Sequence, residues 1–233
     1  MDTQTTSKTS LQHLNIYFIS GLGADKRAFD KIELSQMYNK HFIDWLKPFP
    51  KETVEAYALR MSANIDHSKP FVLVGLSFGG LICIEIAKFL KPLKVILISS
   101  ISCCSELPWY FKIGGRLRLH KTGINTLLLK NDRILFWFFG TKSNKLQQYL
   151  KEMIAQTSST YLTWAMHAIT HWKHNDKPEC VIHIHGTKDK LFPIHYCQAD
   201  ITIERGSHFM VLTHARQISM EMERILQQLS YHL

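Results

Sequence analysis

Short apolar runs alternate with longer amphipathic stretches along this chain. Residues 15–20, 41–46, 71–74, 94–99, 181–185 and 200–204 are brief and rich in β-branched and aromatic side chains, and read as strands. The run Phe71-Val72-Leu73-Val74 is apolar at every position, as expected of a parallel strand covered on both faces. Between these runs the period lengthens. A helix is predicted within 24–38, beginning near Asp25 and carrying Phe29 and Ile32 inward. In 51–65, Val54, Tyr57, Ala58, Met61 and Ile65 recur at helical spacing. Further helices are predicted at 81–90 and 209–229. Pro48 and Pro50 break the chain after the second strand, and Pro92 ends the helix before the fourth. Strand–helix alternation of this kind predicts an α/β fold: a doubly wound, mainly parallel sheet of about six strands.

The pattern changes between 102 and 177. Aromatic residues cluster at Trp109-Tyr110-Phe111 and Phe136-Trp137-Phe138-Phe139, and helical spacing appears at 143–156 and 159–172. This segment is expected to be a helical cap inserted into a single domain spanning 1–233. No internal repeat is evident.

Charge and composition narrow the class. The chain has 233 residues, 45% of them hydrophobic, enough for one sizeable core, and a formal net charge of +9. Much of that excess lies between Glu106 and Lys173, where ten Lys and Arg face three acidic residues. A solvated helical surface accounts for it, and no nucleic-acid motif accompanies it, so no nucleic-acid partner is expected. The first fifteen residues are polar and carry no apolar signal region, and no apolar run is long enough to span a membrane. Cys83, Cys103, Cys104, Cys180 and Cys197 form an odd set without metal-type spacing, and are expected as reduced thiols of a cytoplasmic protein.

The chemistry centres on Gly75-Leu76-Ser77-Phe78-Gly79, which follows the third strand directly and opens a helix. Strand, G-x-S-x-G and helix together describe a nucleophile elbow, whose glycines remove side chains that would collide with neighbouring backbone while the serine projects above the sheet. A serine hydroxyl needs a base, and that base needs a carboxylate to hold it. Two later turns supply both. Asp189 follows the 181–185 strand in His185-Gly186-Thr187-Lys188-Asp189. His208 follows the last strand in Gly206-Ser207-His208. All three candidates lie past C-terminal strand ends, where open α/β sheets place their sites.

On these motifs the chain resembles the α/β-hydrolase superfamily of the esterase and lipase type, over roughly 15–100 and 180–232. The resemblance implies Ser77 as nucleophile, His208 as general acid and base, and Asp189 as the orienting carboxylate. It also implies an oxyanion hole. The residue after the nucleophile, Phe78, offers one amide. The turn Ser20-Gly21-Leu22-Gly23, similar to the family's His-Gly loop, offers Leu22 as the second. Serine replaces the usual histidine there. Two strands that usually open the family's sheet have no room before residue 15, so a trimmed sheet is expected.

Other residues carry less. His183 and His185 share one side of a strand, with His185 expected near the pocket. His167 and His171 lie four apart on a predicted helix but lack a third ligand, so no metal is expected. Cys103 and Cys104 are candidate pocket-lining thiols. Glu106 is an alternative to Asp189, set aside on reach. The function expected is a serine hydrolase cleaving an ester or thioester of a small to medium apolar acyl group through an acyl-enzyme on Ser77, without a cofactor. Amide or carbon–carbon bond hydrolysis on the same residues, or non-catalytic small-molecule binding, are the alternatives. The basic segment leaves open a small-molecule substrate that is anionic or lipid-like.

Overall fold

A computed structural model of the protein describes residues 14–117 and 131–230. The polar start of the chain, part of the basic segment (Arg118, Lys121 and Lys130) and the last three residues lie outside the described residues. Six strands form one sheet: β1 (Leu14–Ile19), β2 (Tyr38–Ile43), β3 (Phe71–Leu76), β4 (Lys94–Ile98), β5 (Val181–Gly186) and β6 (Ile201–Ile203). Their order is β2-β1-β3-β4-β5-β6 and every pairing is parallel.

Alternation along the strands sorts side chains to two buried faces. Tyr17, Ile19, Phe71, Leu73, Val95 and Leu97 join the core on one side. Ile16, Phe18, Val72, Val74, Ile96 and Ile98 join the core on the other. The first core is closed by α1 (Val54–Ser62) and α2 (Phe78–Ala87), the second by α7 (Met210–Thr213) and α8 (Ala215–Ser230). Helix α2 is buried almost all round, which is why its sequence shows no polar stripe. Its one carboxylate, Glu85, is fully buried and accepts from Lys88 Nζ at 2.6 Å and from the Trp172 indole N–H at 2.7 Å.

Between β4 and β5 the chain carries α3 (Trp109–Arg116), α4 (Asp132–Phe139), α5 (Asn144–Gln156) and α6 (Ser159–Thr170). Trp164 on α6 donates its indole N–H to the Glu52 carbonyl at 2.8 Å and joins the first core, tying the segment to the sheet's helical layer.

Besides α2, which runs Phe78–Ala87 rather than 81–90, three elements differ from expectation. The predicted helix within 24–38 is a single 3-10 turn, Lys26–Phe29, capped by Asp25. Phe29 and Ile32 are still buried, but the following backbone donors are taken by α8: Glu33 N–H by the Ser219 hydroxyl at 2.9 Å, and Ser35 N–H by Glu223. The second strand runs Tyr38–Ile43, in register with β1, rather than 41–46. Leu46 instead bonds Tyr57 Oη through both its amide and its carbonyl, at 2.9 and 2.7 Å. The final helix is interrupted at His214.

Candidate active site

Ser77 stands at the turn from β3 to α2 with φ 51° and ψ −120°, in a region that residues with side chains occupy only when the surroundings hold them. Its amide donates to the Ile98 carbonyl at 2.9 Å. Its carbonyl accepts from Gly80 N–H at 2.9 Å and from the Ser100 hydroxyl at 2.7 Å. A Cβ at Gly79 would lie 2.3 Å from the carbonyl oxygens of Ile19 and Ser20, so only glycine lets the start of α2 cross the end of β1. Ser100 was not singled out by any pattern, because a serine after a strand has no distinguishing signal.

Asp189 and His208 arrive from β5 and β6. Gly186, ending β5, meets Gly206 so closely that a Cβ would lie 2.3 Å from the Gly206 carbonyl oxygen. The two turns are joined by Lys188 N–H to Gly206 O at 2.8 Å and Thr187 N–H to Ile203 O at 3.1 Å. Asp189 Oδ1 accepts the amides of Leu191 and Phe192 at 2.8 and 2.9 Å. Its Oδ2 lies 2.8 Å from His208 Nδ1. A carboxylate can only accept, so the imidazole proton is on Nδ1, and Nε2 faces Ser77 Oγ as an acceptor at 3.0 Å. Phe139 and Phe192 present edge contacts to the His208 ring at 5.3 and 5.6 Å. All three polar residues are buried. Such a chain can move the hydroxyl proton to Nε2 while the carboxylate steadies the ring.

The Ser20–Gly23 turn packs beside Ser77: a Cβ at Gly21 would be 3.3 Å from the Ser77 Cβ. The Leu22 and Phe78 amides donate no hydrogen bond among the described residues, and Leu22 lines the same cavity as Ser77 and His208. Ser20 organises this turn in place of a histidine. Its hydroxyl donates to the Ala24 carbonyl at 2.7 Å and accepts the Trp45 indole N–H at 3.0 Å. Trp45 also reaches the Ala24 carbonyl at 3.1 Å and stacks on Phe78. The apolar pattern placed Trp45 inside a strand and concealed this role.

Ser77 opens into a cavity of about 290 Å³. Its walls include Tyr110 and Phe111 of α3, Leu135 and Phe138 of α4, Ile154 of α5 and Met166 of α6. No Lys, Arg, Asp or Glu lines it among the described residues. The Tyr110 hydroxyl, pushed up to about 12 mainly by burial, donates to the Leu191 carbonyl at 2.9 Å.

Several residues weighed as neighbours of the site lie elsewhere, Glu106 among them as already set aside. Glu106 is buried and accepts Ser102 N–H at 2.6 Å, the Ser102 hydroxyl at 2.9 Å and Gln198 N–H at 2.7 Å, bridging the loops after β4 and β5. His185 does not line the cavity. It is fully buried behind Asp189, with Nε2 donating to the Phe192 carbonyl at 2.7 Å, so Nδ1 accepts from His183 Nε2 at 2.9 Å. Burial pushes His183 well below the ordinary histidine range, and the neighbouring His185 adds to this; burial also lowers His185. Cys103 and Cys104 do not line the cavity either, and all five cysteines are free thiols. The rings of His167 and His171 lie 4.1 Å apart, and no three His, Cys, Asp or Glu converge as a metal would need among the described residues. No helix there is long and apolar enough to cross a membrane.

Comparison with curated protein sequences gives no match. Solved structures with the same fold are numerous. A lipase-esterase related protein from Clostridium acetobutylicum ATCC 824 is 20% identical with a TM-score of 0.67, covering 93% of this chain and 95% of its own. A bromoperoxidase from Bacillus anthracis is 18% identical with a TM-score of 0.70, covering 92% of each chain. An enol-lactonase from Burkholderia xenovorans LB400 is 16% identical with a TM-score of 0.69, again covering 92% of each. At these identities the likeness carries the fold. The sequence model of one family matches residues 16–220, a span that takes in all but the first two residues of the sheet and each of Ser77, Asp189 and His208. By that match, and by a parallel sheet with a serine turn at its centre, the chain belongs to the alpha/beta hydrolase family.

Proposed function

We propose that the protein is a serine hydrolase that cleaves an ester or thioester of a small to medium apolar acyl group. The observation that carries this is the Ser77–His208–Asp189 chain of hydrogen bonds, at 3.0 and 2.8 Å, ending in the wall of an apolar cavity. In this mechanism His208 takes the Ser77 proton as Oγ attacks the acyl carbonyl. The Leu22 and Phe78 amides receive the developing oxyanion. His208 then protonates the leaving group and activates water against the acyl-enzyme. The 102–177 segment acts as a cap within a single domain, because its helices supply most of the apolar wall. At about 290 Å³ the cavity stands at the low end of the roughly 300–1,000 Å³ usual for small-molecule sites, which favours short and medium chains.

The test is a panel of p-nitrophenyl esters and acyl thioesters of increasing chain length, run beside Ser77→Ala. The wild type should prefer short or medium chains. The variant should lose turnover and labelling by a fluorophosphonate while keeping its circular dichroism spectrum. Full activity in the variant removes Ser77 from the reaction.

A further inference from the structure

The cavity uses only the inner side of α3 and α4. Their outer side is unusual for a surface exposed to water. Trp109, Ile113 and Leu117 are 61%, 48% and 62% exposed, and Trp137 on α4 is 56% exposed. These are four of the ten large apolar side chains exposed among the described residues, and three of the four fall on one helix and its C-terminal cap. On α3 and its C-terminal cap they follow an i, i+4, i+8 spacing. At about 100° per residue that spacing is one continuous stripe. Lys112 and Arg116 each precede a stripe residue by one position, so they run along one edge of it, and both are exposed. Neither is in an ion pair among the described residues. From the loop after β5, Lys190 Nζ lies 4.2 Å above the Trp137 ring. The inner face of α3 is already occupied: Tyr110 bonds the Leu191 carbonyl, and Gly115 meets Thr170 of α6. The stripe therefore cannot turn inward by rotating the helix.

We infer that the outer face of α3 and α4 is a docking surface for an anionic lipid bilayer. Indole rings beside Lys and Arg that make no ion pair among the described residues suit the boundary between headgroups and acyl chains. The cations suit anionic headgroups within a Debye length. A second copy of the chain is a poorer occupant. A symmetric contact of this patch with itself brings two sets of Lys112 and Arg116 into one interface, and neither makes an ion pair among the described residues. The inference stands apart from the proposed chemistry, because none of these side chains lines the cavity.

The experiment is flotation of the full-length protein with phosphatidylcholine vesicles, with and without phosphatidylglycerol. Binding is expected only with phosphatidylglycerol, weakening as salt rises. Replacing both cations (Lys112→Gln with Arg116→Gln) should weaken partitioning about 30-fold, the loss set by two basic contacts at a lipid surface. Trp109→Ala with Ile113→Ala should weaken it at least about tenfold. Both double variants should retain the wild-type melting temperature, and their turnover of a soluble short-chain ester should match that of the wild type. Failure to bind phosphatidylglycerol vesicles overturns the inference, as does binding that neither double variant changes. Concentration-dependent self-association abolished by Trp109→Ala with Ile113→Ala, without lipid binding, assigns the face to a second copy instead and also overturns it.

Discussion

Two buried carboxylates stand on loops past neighbouring strands, and exchanging each for its amide separates their roles. Glu106 receives three donors: Ser102 N–H on one oxygen, and the Ser102 hydroxyl and Gln198 N–H on the other. In Glu106→Gln one oxygen becomes an NH₂. Whichever way the amide turns, that NH₂ faces a backbone N–H and leaves it unsatisfied. A buried orphan of this kind costs about 1–3 kcal/mol. For a chain of this length that is a fall in Tm of about 3–10 °C. Turnover should stay within about threefold, because Glu106 reaches neither Ser77 nor His208. Asp189→Asn behaves differently. With its NH₂ toward His208, the ring must carry its proton on Nε2 and can no longer accept from Ser77. With the amide reversed, the NH₂ confronts the Leu191 and Phe192 amides instead. The wrong tautomer costs on the order of 10⁴ in kcat in Ser-His-Asp triads. The assays are thermal unfolding and kcat/KM on one p-nitrophenyl ester for both variants. A collapse of turnover in Glu106→Gln, with Asp189→Asn nearly active, would refute the assignment of Asp189.

Further outcomes follow from other contacts. Gly79→Ala sets a methyl 2.3 Å from two carbonyl oxygens. It should destabilise the protein by at least about 1–3 kcal/mol, read as a lower midpoint in urea, and a wild-type midpoint would mean the elbow is looser than described. Trp45→Phe removes both indole hydrogen bonds to the Ser20–Ala24 turn. It should lower kcat about tenfold while moving Tm little, since the ring still stacks on Phe78; unchanged kcat would remove the turn from the reaction. His183 and His185 are held below the ordinary histidine value by burial, and His174 is lowered for the same first reason. The unfolded chain therefore takes up protons first as pH falls. Stability that is fully present above about pH 6.5 is lost progressively below it. His183→Gln, whose amide can keep the bond to His185, should flatten the melting-temperature profile between about pH 5 and 6.5; a wild-type profile already flat there would contradict the argument.

Local pattern was enough to place five of the six strands and the serine turn. Each of these depends on neighbours a few positions apart: alternating side chains covered on both faces, a glycine on each side of Ser77, and glycines ending β5 and following β6. What it could not locate were contacts between segments distant in sequence. The backbone donors after Phe29 found partners on α8 and left no helix there. Trp45 left its strand because Tyr57 captured Leu46, and it then closed the Ser20 turn. His185, on a strand next to the site, turned away from the cavity to bond Phe192 and His183. Hydrophobic periodicity records which side chains are buried but not which donor meets which acceptor. That second question is settled only when elements far apart along the chain are packed side by side, because an unpaired buried polar group is too costly to leave, and any segment within reach can satisfy it.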